Sequence, residues 1–202
     1  RVHPSALAFW YSSDELPPEP VEKAYLSVFE SERWPNGLLA SASNLTSKLT
    51  GDTGVKMSGP YQWVPPNFWL QDTAATPDPA PKGGAFGFLS EGGPGAAPMT
   101  WESLQENVAD LWPVGNEDWM YHMANPNGFF GRHDFFSQPL MQRFGMWRSA
   151  HDYSVLAQVQ SYESYRAYFE AYNLNKLDSA NGYVTWMLQA GRPQNQWHLF
   201  EY

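Results

Sequence analysis

The stretch "ALAFWY", Ala6–Tyr11, is a continuous apolar run of strand length, and three more such runs follow it along the chain. They are "LLASA" (Leu38–Ala42), "AFGFL" (Ala85–Leu89) and "YVTWML" (Tyr183–Leu188). A strand with one face in water alternates apolar and polar residues, whereas a strand covered on both faces is apolar throughout. The four runs therefore predict buried strands of a parallel sheet.

Helical patterns lie between these runs. One helix should begin after Thr100, an N-cap residue type, and a long one is expected from about Asp152 to Tyr172. Its apolar residues recur at helical spacing and are expected to pack in the core: Val155, Val159, Tyr162, Phe169 and Tyr172. The first helix should run from about Pro20 to Arg33, with one apolar face: Val21, Ala24, Tyr25, Val28 and Phe29.

The alternation of strands and helices indicates an α/β fold, either a doubly wound sheet or a (β/α)8 TIM barrel. Long loops rich in Gly, Pro and aromatic residues, such as Gly51–Thr73, follow the strand ends, and barrels build their active sites from such loops. The chain has no GxGxxG, P-loop or nucleophile-elbow motif. Part of a barrel is therefore the favoured fold.

Composition excludes several classes of function. The chain has 202 residues, a net charge of −9 and only 12 Lys and Arg, which argues against nucleic acid as a partner. Its apolar runs are too short to span a membrane, and cysteine is absent. Aromatic residues make up 16% of the chain, with ten Trp, as is typical of a cleft lined for a flat ligand. The negative charge would suit a cationic ligand.

Two carboxylates lie in similar sequence surroundings. Asp14, in "YSSDELPPEP" (Tyr11–Pro20), and Glu91, in "SEGGPG" (Ser90–Gly95), each follow an apolar run and precede a loop. Strand ends of this kind form the active face of a barrel, where a carboxylate pair can act as proton donor and nucleophile. The alternative is that Asp14 caps a helix and Glu91 pairs with a surface cation. The five His lack metal-ligand spacing, so neither a metal nor a cofactor is expected.

Five strings stand in one order along the chain: "HPSALAFWYSSDELPP", "GVKMSGPYQWVPPNFWL", "GGAFGFLSEGGPG", "YVTWMLQ" and "QWHLFEY". Together they resemble the catalytic barrel of glycoside hydrolase family 2, most closely its exo-β-D-glucosaminidase branch. The resemblance covers nearly the whole chain and is weaker between about Pro113 and Ser149. It implies that Asp14 is the general acid/base and Glu91 the nucleophile of a retaining hydrolase.

The residue pair Ser13–Asp14 indicates the branch. Most of the family has Asn–Glu at this position, whereas the glucosaminidase branch resembles this chain in having Ser–Asp. The substrate implied is the non-reducing end of chitosan or a chito-oligosaccharide, whose glucosamine is cationic near neutral pH. Glu15 is expected to be a supporting or solvated acid. Because Asp is one methylene shorter than Glu, the proton donor reaches the glycosidic oxygen only if the backbone or the substrate lies closer.

Three aromatic residues match positions that line the sugar site in the family. Tyr61 and Trp63 belong to the stretch at strand six, although core packing is an equal alternative for one of them. Trp186, at strand eight, resembles the tryptophan platform beneath the sugar ring. The alternative for Trp186 is an ordinary core residue.

The resemblance implies that residues 1–202 are the C-terminal portion of the barrel, about strands four to eight. Other chains or segments of the same enzyme would then complete it, and this portion alone would be inactive. A secreted or extracellular location is expected, or a lysosome- or vacuole-like compartment. Two alternatives stay open: a β-mannosidase or endo-β-mannosidase of the same family, and a non-catalytic carbohydrate-binding or structural barrel protein.

Overall fold

The computed structural model describes residues 5–57, 59–71, 83–95, 98–123, 132–195 and 198–200. The helices are α1 (Glu19–Ser31), α2 (Trp101–Asn107), α3 (Glu117–Tyr121), α4 (Asp134–Phe144) and α5 (Ala150–Leu174), with a 3-10 turn at Pro66–Phe68. The strands are β1 (Ala8–Trp10), β2 (Gly37–Leu39), β3 (Thr46–Ser47), β4 (Gly51–Asp52), β5 (Val55–Met57), β6 (Gly87–Gly92) and β7 (Ala180–Thr185).

Five of the strands pair in parallel. β1 pairs with β2 through the partners Phe9 and Leu38, and β6 lies between β5 and β7 in a three-stranded sheet. β3 and β4 form a short antiparallel hairpin between β2 and β5. Because parallel strands end at the same edge of a sheet, the loops after β5, β6 and β7 meet there.

The four predicted strands are present, with shifted bounds. Each apolar run overlaps one of β1, β2, β6 and β7, and these strands pair in parallel as expected. β5 lies inside the stretch that the sequence indicated as a loop. The expected α/β class is confirmed for the described residues, and no strand pairing among them closes a barrel.

The long helix α5 joins the two halves of the core. It follows β6 and precedes β7, so β6, α5 and β7 form a parallel crossover. Its first half packs with α2, α3 and α4 around Leu104, Trp119 and Tyr153. Its second half covers the three-stranded sheet, with Tyr168 against Leu89 in the buried cluster. The predicted helix is confirmed and extends two residues beyond each expected end.

The predicted core stripe of α5 is wrong for its first three residues. Val155, Val159 and Tyr162 are 50%, 40% and 62% exposed, whereas Tyr172 is buried and Phe169 is partly buried. The buried face consists mostly of small side chains and tyrosines, because small side chains let the helix axis come close to its neighbours: Tyr153, Ala157, Ser161, Ser164, Ala167, Tyr168 and Ala171.

The first two predicted helices are present as well. Thr100 caps α2 by accepting a hydrogen bond from Ser103 N. The predicted apolar face of α1 is mostly not buried: Val21, Ala24, Tyr25 and Val28 are exposed, and only Phe29 is partly buried. The residue of α1 that is buried is Glu22. None of the helices in the described ranges combines the length and the apolar character that crossing a membrane requires.

His133 lies at the junction of α4 and α5 in a hydroxyl-rich part of the core. Its Nε2 is 3.0 Å from both Ser137 Oγ and Tyr153 OH, and its ring lies 6.1 Å from Trp119. Burial lowers the pKa of His133 to about 4, although the charge of Asp134 acts in the opposite direction. The ring is therefore neutral at neutral pH.

Acidification should destabilise the protein through His133. An unfolded histidine binds a proton as the pH falls through about 6.5, whereas folded His133 does so only near pH 4. The contribution of His133 to the free energy of unfolding, measured with urea, should be constant above about pH 7. Below that pH it should decrease, by at most about 3 kcal/mol. In His133→Gln this part of the loss should disappear, while the control His151→Gln, at an exposed position, should keep the wild-type pH dependence. Equal curves for the two variants would contradict the assignment.

Candidate active site

Glu91 and Tyr61 form the centre of the candidate site. Glu91 lies near the carboxyl end of β6, and Tyr61 lies in the loop that follows β5. The Tyr61 phenol donates a hydrogen bond of 2.9 Å to Glu91 Oε1. Burial raises the pKa of Tyr61 above its usual value, and the hydrogen bond and charge of Glu91 and the charge of Asp14 raise it further. Tyr61 therefore remains a donor over the ordinary pH range.

The backbones of the two loops that carry this pair are in direct contact. Gly93 N donates to Pro60 O at 3.2 Å, and Val64 N donates to Pro94 O at 3.3 Å. A Cβ on Gly95 would lie 2.0 Å from the backbone carbon and oxygen of Gln62. Glycine allows this close backbone approach because it has no side chain.

Trp186 completes a group of three side chains at the ends of β5, β6 and β7. Its backbone N–H donates to Gly92 O at 2.9 Å, which holds it beside the end of β6. Its ring meets the Tyr61 ring edge-on, with centroids 5.5 Å apart and an angle of 88°. The side chain is half-buried. A half-buried indole beside a carboxylate offers an apolar face for a ligand.

Asp14 lies after β1 in a tight bend. Its φ of 61° is in the left-handed region, which a non-glycine residue adopts only when its surroundings hold it. Ser12 Oγ donates to Glu15 O at 2.8 Å, and Ala42 N donates to Ser12 O at 3.1 Å, so the bend is tied to the segment after β2. The Asp14 carboxylate is exposed, and its charge reaches the Tyr61 phenol.

Two contacts join β1 and β2 to the three-stranded sheet. Ser90 Oγ donates to the backbone oxygen of Ala42, and the Trp10 ring stacks on Phe88 at 5.7 Å. These contacts bring the ends of β1 and β2 to the same side as Glu91. Ser90 was not singled out from the sequence, because a serine before a carboxylate carries no distinctive pattern.

The simpler alternatives for the two acids do not fit. The cap residue of α1 is Pro18, so Asp14 is not its N-cap. None of the four ion pairs in the described part of the chain involves Glu91. Glu15 is exposed, as expected for a solvated acid.

Trp63, which the sequence offered as a sugar-site residue or a core residue, lies in the core. It is 9% exposed and packs in the cluster that contains Met99 and Trp119. Tyr61 and Trp63 are only two residues apart, yet they lie in different surroundings. Only Tyr61 of this pair contacts Glu91.

The described histidines form no metal site. No group of three or more His, Cys, Asp or Glu side chains arranged to hold a metal occurs within the described ranges. His122 Nδ1 lies 3.0 Å from Pro193 O, and His198 is buried. His3 lies outside the described residues.

Comparison with known proteins is consistent along the entire chain. No protein-family model matches it. The exo-β-D-glucosaminidases of Streptomyces avermitilis and Hypocrea virens are 34% and 36% identical over 209 and 211 residues, covering 100% of this chain. The exo-chitosanase CsxA of Amycolatopsis orientalis matches 96% of the chain with 29% identity and a TM-score of 0.81. The chain is a relative of the exo-β-D-glucosaminidases.

The chain corresponds to a segment of these exo-β-D-glucosaminidases. It spans 22% and 23% of the two named relatives and 23% of the CsxA chain. The resemblance to exo-β-D-glucosaminidases that the sequence motifs indicated is therefore confirmed, and the described strands and helices superimpose on the matching segment of CsxA.

The contact between Gly95 and Gln62 provides a test of how the site is held. Gly95→Ala should lower the free energy of unfolding by about 3 kcal/mol, because the added methyl overlaps backbone atoms and the φ of 90° disfavours a side chain. Gly191→Ala is the control, since nothing lies within 4 Å of a Cβ there. Urea unfolding of both variants gives the comparison. Losses of equal size would contradict the proposed contact between the loops.

Proposed function

We propose that this chain is part of the catalytic (β/α)8 barrel of a glycoside hydrolase family 2 enzyme, a retaining exo-β-D-glucosaminidase. The enzyme removes glucosamine from the non-reducing end of chitosan or chito-oligosaccharides. The observation that carries the proposal is the Tyr61–Glu91 hydrogen bond, with the charge of Asp14 acting on the same phenol. Retaining hydrolysis requires two carboxyl groups about 5 to 5.5 Å apart, and Asp14 and Glu91 are the pair proposed here.

The barrel assignment is supported by the parallel strands. β1, β2, β5, β6 and β7 are taken as strands four to eight, in chain order. The remaining strands come from other segments or chains of the same protein, since this chain spans less than a quarter of its relatives. The chain alone is then inactive. Secretion remains a prediction.

In the first step, a carboxylate oxygen of Glu91 attacks the anomeric carbon and forms the glycosyl-enzyme. The bond from the anomeric carbon to the leaving oxygen breaks, and the proton of Asp14 passes to that oxygen. Tyr61 holds Glu91 Oε1 at 2.9 Å, so the carboxylate is oriented before the attack.

In the second step, Asp14 takes a proton from water, and the water oxygen attacks the anomeric carbon. The bond to Glu91 breaks, and the product keeps the original configuration. For both steps the two carboxyl groups should lie about 5 to 5.5 Å apart in the complete enzyme. Trp186 would lie beneath the sugar ring, at the edge of Tyr61.

Two further observations support the choice of substrate. The chain has Ser13–Asp14 where most of the family has Asn–Glu. Two solved variants of CsxA, one with a glutamate and one with an aspartate replaced by alanine, are complexes with PNP-β-D-glucosamine.

The substrate assignment is tested with the complete enzyme. p-Nitrophenyl β-D-glucosaminide should be hydrolysed and the β-D-mannoside should not, and proton NMR should show the β-anomer of glucosamine released first. Cleavage of the mannoside alone would identify a mannosidase. Binding of chitosan without any turnover would identify a non-catalytic protein, and initial release of the α-anomer would contradict the retaining mechanism.

The roles of the two acids are separated by substrates with different leaving groups. Glu91→Gln should abolish hydrolysis of every glucosaminide, because no nucleophile remains. Asp14→Asn should lose about 10³-fold on chito-oligosaccharides and much less on a 2,4-dinitrophenyl glucosaminide, whose leaving group needs no proton. Added azide should then give the β-glycosyl azide. Glu15→Gln, the neighbouring exposed acid, is the control and should retain activity; a loss as large as that of Asp14→Asn would reverse their assignment.

A further inference from the structure

Glu22 is a charged residue in the interior. It is 4% exposed and is the buried residue of α1. Three hydroxyl groups lie on its Oε1: Tyr11 OH at 2.9 Å, Ser47 Oγ at 2.5 Å and Thr50 Oγ1 at 3.3 Å. The sequence does not predict these contacts, because an acid in the first turn of a helix is a common pattern.

The three hydroxyl groups come from two separate parts of the chain. Tyr11 follows β1, Ser47 belongs to β3, and Thr50 lies in the turn between β3 and β4. Tyr11 N also donates to Leu39 O at 3.2 Å. Glu22 therefore ties α1 to the end of β1 and to the hairpin that follows β2.

Burying the carboxylate of Glu22 costs free energy, so it should contribute something that an apolar side chain would not. An isolated buried carboxylate is costly, and an apolar side chain could fill the space without that cost. Burial raises the pKa of Tyr11, and the hydrogen bond and charge of Glu22 raise it further, so the phenol remains a donor. The hydrogen bonds are directional, and they fix the position of Tyr11 rather than only excluding water.

Tyr11 is three residues before Asp14, and the chain between them is short and constrained. Ser12 is tied to Ala42 N through its backbone oxygen, and Asp14 has a positive φ. An aspartate donor is one methylene shorter than the glutamate of most family members. Its reach to the glycosidic oxygen therefore depends on where the backbone places it.

We propose that Glu22 is a positioning residue, which acts through Tyr11 to place Asp14 at the distance from the substrate at which it can transfer a proton. This proposal rests on the proposed function, because it assigns Glu22 to the acid/base step of that reaction. Glu22 itself does not touch the substrate. Through its hydrogen bonds with Ser47 and Thr50, Glu22 also holds the segment after β2.

Glu22 also lines a cavity of about 250 Å³, together with Leu16, Pro17, Glu19, Thr46 and Lys48. Water can enter a polar space of this size and hydrate the hydroxyl groups if the carboxylate is removed.

The decisive comparison is between Tyr11→Phe and Ser47→Ala in the complete enzyme. Each variant removes one hydroxyl from Glu22 Oε1, but only Tyr11 is on the strand that leads to Asp14. Tyr11→Phe should reduce kcat on a chito-oligosaccharide by about tenfold or more, with KM little changed and with near wild-type rates on the 2,4-dinitrophenyl glucosaminide. Ser47→Ala should change both substrates by less than about threefold. Glu22→Ala should reproduce the leaving-group dependence of Tyr11→Phe.

The outcomes separate this proposal from the function on which it rests. If the wild-type enzyme hydrolyses no glucosaminide, the proposed function fails. If it is active but Tyr11→Phe loses activity equally on both substrates, or not at all, Glu22 does not act through the proton donor and the positioning proposal is overturned. If Glu22→Ala fails to fold, as judged by circular dichroism, Tyr11→Phe still decides the question, since it removes a single oxygen atom.

Discussion

The hydrogen bond between Tyr61 and Glu91 depends on direct contact between two loop backbones. Side chains of ordinary size would keep the loops after β5 and β6 several ångströms apart, and Tyr61 would not reach Glu91. Gly92 and Gly95 remove that spacing: a Cβ on Gly92 would lie 2.8 Å from Gly59 O, and one on Gly95 would lie closer still to Gln62. The geometry of the site is thus set by residues that have no side chain.

The rest of the described structure holds the three strand ends in register beneath this contact. α5 covers β6 and β7 with Ala167, Tyr168 and Ala171, and its first half is fixed by the cluster formed with α2, α3 and α4. Ser164 Oγ donates to Val64 O at 2.8 Å, which connects the middle of α5 to the loop that carries Tyr61. Because α5 packs on both clusters, it connects the loop that carries Tyr61 to the rigid core.

The sequence indicated where the strands and the two acids lie better than it indicated which helix faces are buried. Continuous apolar runs identified β1, β2, β6 and β7, since burial on both faces leaves that pattern. β5 was missed because three residues between glycines and prolines read as a loop. The buried face of α5 was misjudged because Val155 and Val159 follow helical spacing, whereas the face that packs is made of small residues, which hydrophobic spacing does not detect.

The candidate site was located from the sequence, but its connections were not. Asp14 and Glu91 could be placed at strand ends from the residues around them. The contacts of Tyr61, Ser90 and Glu22 join segments that are 30, 48 and 28 positions apart at the farthest, and no local pattern specifies such pairs. Trp63 could not be distinguished from Tyr61 for the same reason, because its core partners follow it by 36 residues or more.

The groups that hydrogen-bond to Glu91 and Glu22 affect how a cationic sugar would bind. Glu91 and Glu22 are held by hydroxyl groups, and the four ion pairs of the described ranges lie elsewhere, between exposed or partly exposed side chains. A hydroxyl orients a carboxylate with a dipole and leaves its net charge in place, whereas Lys or Arg at the same distance would cancel most of it. With a net charge of −9, the chain then keeps a negative field near Glu91, which would favour the ammonium group of the proposed substrate. A guanidinium beside Glu91 would orient it equally well, but it would repel the proposed cationic sugar and weaken the proposed nucleophile.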